Sequence, residues 1–247
     1  MRFISGKYVS TACLLAWLTQ AMFGGTLLVS SPVHADEQAK QDVASDLPVY
    51  IPPRRGAPVS RVGGGTRGQS GDTPWVQVLT PAHTGLTSQP QPVLYWYLSK
   101  AATTRFEFVL ISDEGYEPLV ESELKSIDQA GIHRIQLADY GITLQPDISY
   151  QWSVVVVTDA EHRSSDIISS GEIERVKPPA GIMTRVANSH GEDRVSYYAS
   201  TGLWYDALQS LDDLIMANPG NERLLKARAS LLEQVGLGDV ATAMKGE

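Results

Sequence analysis

Cysteine is nearly missing from this chain: Cys13 is the only one in 247 residues. Nothing after it can join an internal disulfide, act as a thiolate nucleophile or bind a metal through sulfur. Positive charge is also short, with 20 Lys and Arg against 28 Asp and Glu. That balance argues against nucleic acid and anionic membrane surfaces as main partners, because both select for basic surfaces. Histidines are few and scattered. Beyond residue 35 they are His83, His133, His162 and His190, none at helical or two-apart spacing from another histidine or a cysteine, so no H-E-x-x-H or finger-type pattern arises. There is no G-x-S-x-G elbow for a hydrolase serine. The sequence therefore predicts no catalytic residue, no cofactor and no metal ligand set.

What is present begins with an address. Arg2 and Lys7 precede an apolar run from Ala12 to Phe23, which resumes at Leu27 to Val29, and Val33-His34-Ala35 offers a small-residue cleavage site. Residues 1–35 thus read as an export signal. Gln20, Gly24, Gly25 and Pro32 break the run and weigh against an uncleaved anchor, which would be the chain's one membrane contact. Cys13 lies before most of the run, whereas a lipoprotein cysteine should follow it. Cleavage would remove two basic residues and no acidic ones, leaving 18 basic against 28 acidic. The expected location is the periplasm or cell envelope of a bacterium.

Residues 36–74 are polar and rich in Pro and Gly, as in a linker or an arm laid on a domain. From Trp75 to residue 180 the texture is that of short strands: Trp75–Leu79, Val93–Leu98, Arg105–Ile111, a short edge at Glu117–Val120, Ile132–Leu137, the run after Pro146, and Ile167–Val176. In Leu144-Gln-Pro146-Asp-Ile-Ser-Tyr150-Gln-Trp152 a turn leads into Tyr150, Trp152, Val154 and Val156, which alternate onto one face. This Leu-x-Pro turn before a strand tyrosine resembles the tyrosine corner of immunoglobulin-like and fibronectin type III sandwiches. The expected fold is mainly β: an antiparallel sandwich of that kind.

Over residues 190–247 the period becomes helical, with Asn218-Pro219-Gly220 separating two helices. Val195 pairs with Ala229, Tyr198 with Leu232, Gly202 with Gly236 and Ala207 with Ala241, each 34 residues apart. The period, with Trp204 after the glycine and Pro219 closing the unit, resembles a tetratricopeptide repeat. Fewer than two repeats fit, and such hairpins cannot bury their apolar faces alone. They are expected to pack on the sandwich or on a partner.

The order of motifs is more specific than either fold. Gly63-Gly-Gly-Thr-Arg-Gly68, Leu79-Thr-Pro-Ala-His83, Pro92 to Leu98, Phe106 to Leu110, Leu144 to Trp152, Arg163-Ser-Ser-Asp166, Glu174-Arg-Val176 and Gly202 to Leu208 follow one another in that sequence. The series resembles a family of uncharacterised exported bacterial proteins, domain of unknown function nine-two-eight, abundant in cyanobacteria, over roughly residues 55–243. The resemblance implies no activity, since the family has none established. Many members carry cysteines where this chain has Ser70 and Val157, so a disulfide implied there is absent here.

Three candidate binding features remain. Gly63 to Gly68 fits the letters of a dinucleotide fingerprint, but Gln69-Ser-Gly-Asp-Thr-Pro74 cannot start the helix that motif needs, and a close crossing of the arm explains the glycines better. The loop Thr158–Asp166 gathers Asp159, Glu161, His162, Arg163 and Asp166, at once a recognition-loop candidate and an ordinary solvated turn. Tyr95 and Tyr97, on either side of Trp96, and Tyr205 would offer stacking faces to a sugar or peptide if exposed. The expected function is a non-enzymatic protein-interaction or envelope-assembly role with an envelope protein as partner. The alternatives are a carbohydrate-binding module taking a glycan, and an enzyme whose site forms only on folding.

Overall fold

The computed structural model describes residues 47–53, 61–63, 74–125 and 127–244, all inside one compact unit spanning residues 42–247. The expected export segment, much of the arm, and the glycines after Gly63 lie outside the described residues. Eight strands are described: β1 (Val76–Val78), β2 (Gly85–Thr87), β3 (Val93–Leu98), β4 (Arg105–Ser112), β5 (Pro118–Leu124), β6 (Gly131–Gln136), β7 (Ser149–Val157) and β8 (Ile167–Arg175). β1, β3 and β6 form an antiparallel sheet with β3 at its centre, and the second sheet runs β2-β8-β7-β4-β5. This second sheet is mixed rather than antiparallel throughout, because β2 runs parallel to β8. Three residues, Gly-Leu-Thr, are too few to show alternation, so β2 leaves no sequence signal. β5 is longer than its expected four residues: Ser122 and Leu124 also pair with Phe108 and Phe106 of β4.

The sheets meet through the side chains that point inward from alternate positions of β4 and β7. Phe106, Phe108 and Leu110 of β4, and Tyr150, Trp152, Val154 and Val156 of β7, are all buried. Trp96 of β3 meets Phe106 with ring centroids 5.5 Å apart. Each fully buried side chain of this size contributes about 1.5–3 kcal/mol by leaving water. The Tyr150 hydroxyl accepts a hydrogen bond from the Gln145 N–H at 3.0 Å and closes the corner before β7. Asp147 in that corner has φ 62°, a left-handed conformation that Asp tolerates better than most side chains.

Five helices follow: α1 (Ala180–Asn188), α2 (Gly191–Ser200), α3 (Trp204–Ala217), α4 (Glu222–Gln234) and α5 (Gly238–Ala243). No helix among the described residues is long and apolar enough to cross a membrane. The 34-residue spacing reappears as geometry. After α2, Gly202 takes φ 79° and the Leu203 N–H bonds to the Tyr198 carbonyl; after α4, Gly236 takes φ 76° and the Leu237 N–H bonds to the Leu232 carbonyl. Both glycines occupy the left-handed position that ends a helix and frees the chain for the next one. α4 starts on Asn221, whose side chain accepts from the N–H groups of Arg223 and Leu224.

Candidate functional site

The first turn of α3 enters the β layers. Trp204 donates its indole N–H to the Leu79 carbonyl at 2.8 Å. The Tyr205 hydroxyl accepts from Trp152 Nε1 at 2.9 Å, donates to the Glu172 carbonyl at 2.9 Å and lies 3.0 Å from Thr80 Oγ1. Asp206, also buried, accepts from the Ser88 N–H at 3.0 Å and from the Ser88 hydroxyl. Burial pushes the Asp206 carboxyl above its ordinary pKa, and the Ser88 bonds pull against that shift. Two glycines make room for this insertion. A Cβ on Gly85 would stand 2.7 Å from the Tyr205 ring, and one on Gly171 would stand 2.1 Å from Thr80 Cγ2.

Tyr205 therefore corrects the expectation of a ring free to meet a ligand: it is wholly buried. Tyr95 and Tyr97 need the same correction, being 1% exposed each. A strand with one covered face would leave either these two or Trp96 open to solvent, but β3 is covered on both. Trp96 faces the other sheet, while Tyr95 lies beside Asp212 of α3 and Tyr97 packs on Trp75 at 5.0 Å. No stacking platform results from these three rings. Burial pushes the phenols of Tyr95 and Tyr205 far above their ordinary pKa.

The β7–β8 loop does bring its five charged residues together, and they bond mainly within the fold. Asp159 accepts from the Glu161 N–H and pairs with His162 Nδ1, both at 2.8 Å, which holds its carboxyl below the ordinary range. Arg163 pairs with Asp166 and reaches across to Glu107 of β4, which Arg105 also contacts. Burial alone would raise the Glu107 pKa, but the hydrogen bonds from Arg163 and Arg105 hold it low. The loop is thus clamped to the outer face of the five-stranded sheet. Asp166 Oδ1, unlike the Oδ2 that meets Arg163, is buried with no hydrogen-bond partner. His133 stacks on Trp96 at 4.7 Å, while His190 caps α2 and makes no side-chain cap bond there. Among the described residues no group of three or more His, Cys, Asp and Glu is placed to hold a metal ion.

A different constellation lies where residues 47–53 cross the helices. Gln234, at the end of α4, accepts from the Tyr50 N–H at 2.8 Å and donates to the Pro48 carbonyl at 3.0 Å. The Ile51 N–H bonds to the Ala199 carbonyl at the end of α2. The Tyr50 ring meets Trp204 edge-on at 5.2 Å and stacks on His83 at 5.9 Å. Farther along, Arg61 donates to the carbonyls of Thr80, Val235 and Gly236. The two repeat glycines thus mark where this segment passes: a Cβ on Gly202 would stand 3.1 Å from the Ile51 carbonyl, and one on Gly236 would stand 3.7 Å from the Arg61 guanidinium. Sequence reasoning singled out neither Tyr50 nor Gln234. One lies in a polar, proline-rich stretch and the other at an outward helical position, so no periodicity marks them.

Residues 62–244 match a protein family described as Domain of Unknown Function (DUF928). The chain belongs to this family. The match runs from the segment beside Arg61 through both sheets and all five helices, so the family unit joins the two layers that share Trp204 and Tyr205. None of the curated proteins matches the sequence.

Proposed function

We propose that this protein is exported to the envelope of a bacterium and works there without catalysis, as an interaction or assembly protein that recognises another envelope protein. The β layers are read as an immunoglobulin-like sandwich, and the helices as a short tetratricopeptide-like module. The observation that carries the reading is the recurrence of one helix–glycine–helix turn at a 34-residue interval, because units of this kind serve as stacked recognition surfaces. The module also leaves large apolar side chains in solvent, Met216 on α3 and Leu225 on α4. The test is affinity capture from a bacterial envelope extract with residues 36–247 as bait, beside the same bait carrying Met216→Glu and Leu225→Glu. A protein enriched by the first bait and lost with the second supports the reading. Identical capture by two folded baits contradicts it.

A further inference from the structure

The seat of residues 47–53 has the features of a site that reads an extended peptide. Two of the segment's main-chain groups, the Tyr50 N–H and the Pro48 carbonyl, are held by one side-chain amide, that of Gln234, and a third, the Ile51 N–H, bonds to the end of α2. Main-chain reading of this kind gives affinity without regard to sequence, while pockets for alternate side chains give specificity. Exposure alternates accordingly: Tyr50 is 6% exposed between Val49 at 62% and Ile51 at 54%. Two residues of the segment are buried, Pro48 and Tyr50, and the aromatic one is held between Trp204 and His83. Gly202 lets the segment come within contact distance of the α2–α3 turn, where any side chain would press on the Ile51 carbonyl.

We infer that the groove formed by the α2–α3 turn, the end of α4 and His83 is a peptide-binding site, and that residues 47–53 fill it as a tethered ligand. Its partner is an extended segment of an envelope protein with an aromatic residue at its centre, which displaces the arm. This rests on the interaction reading above and adds the site and the chemistry of the partner. Tyr50 is the specificity anchor, and Gln234 supplies the main-chain clamp.

The test uses the full chain with its own arm weakened by Tyr50→Ala and Ile51→Pro, which remove the anchoring ring and one main-chain donor. A fluorescent peptide with the sequence of residues 47–53 is titrated against it and against the wild type, and binding is read as anisotropy. The weakened chain is expected to bind saturably and at least about tenfold tighter than the wild type, whose groove is filled. Replacing the peptide's tyrosine by alanine, or adding Gln234→Ala to the protein, should each weaken binding by about tenfold. Exchange of arms between copies supplies no ligand here, because both copies carry the damaged segment. Equal, unsaturable binding to both chains overturns the inference. If the weakened chain does not fold, a site-specific protease sequence placed between residues 54 and 60 of the wild type allows the arm to be cut after folding. Uptake of the labelled peptide in exchange for the cut arm then supports the inference, and its exclusion overturns it. Loss of peptide binding with capture still dependent on Met216 and Leu225 would end this inference and leave the broader interaction reading standing.

Discussion

At the scale of single residues, the junction depends on close approaches that leave little tolerance. Gly171→Ala would place a methyl group against Thr80 Cγ2, at a distance no folded protein accepts without movement. It is expected to cost about 1–3 kcal/mol, as overpacking of a filled core does. Thr80→Ser removes that methyl and keeps the hydroxyl beside Tyr205, so the double variant should regain at least half the loss in urea unfolding. Equal instability of the single and double variants would show that the clash is not the cause. Tyr205→Phe keeps the ring but strips the acceptor from Trp152 and the donor from Glu172, a loss of about 1–3 kcal/mol for buried groups left unpaired. Glu107 makes a pH prediction. Its folded pKa lies below the ordinary 4.5, so the stability it contributes is present above that value and lost as pH falls through the folded one. Glu107→Gln should therefore melt below wild type at pH 7, and the gap should narrow as the pH is taken below 4.5.

At the scale of elements, most of the architecture was legible because it is written in periodicity. Val93–Leu98 forms β3 with the expected bounds, and the alternation after Pro146 forms β7. The Asn218-Pro219-Gly220 break falls between α3 and α4. What escaped was whatever tertiary contact decides. β2 is three residues long and exists because β8 offers it an edge. The tyrosines of β3 looked available because the sequence does not say that a second layer covers that face. The acidic loop's anchor was also hidden, because Arg163 of the loop pairs with Glu107 of β4, 56 residues away in the chain. The helical turns allow a prediction at this scale. Gly202→Ala and Gly236→Ala each force a side chain into the left-handed region, at about 1 kcal/mol or somewhat more. Only at Gly202 does the added carbon press on backbone, the Ile51 carbonyl, whereas at Gly236 it faces the movable end of Arg61. Gly202→Ala should therefore be the more destabilising, and hydrogen exchange at the Ile51 amide, which bonds to the Ala199 carbonyl, should speed up in that variant alone.

At the scale of the whole molecule, the sheets and helices are not two beads on a string. The described core is continuous from the β4–β7 face through Trp152 and Tyr205 into α3 and on to Leu224, Leu231 and Leu232 of α4. A chain ending near Pro179 would lose Trp204 and Tyr205 and leave the Leu79 and Glu172 carbonyls without their donors. Such a truncation is expected to destabilise the β layers along with removing the helices, so surface substitutions test recognition by the helices more cleanly. A shared core also gives the groove under residues 47–53 a fixed wall, since His83 comes from the loop before β2 and Trp204 from α3.

The most direct test of that shared core is native-state hydrogen exchange across a series of low denaturant concentrations. If sheets and helices form one cooperative unit, the slowest amides of α3 and α4 should merge onto the same global unfolding isotherm as those of β7 and β8. A separate isotherm for α3 and α4, lying well below that of the strands, would show a helical module that opens independently and would contradict the account.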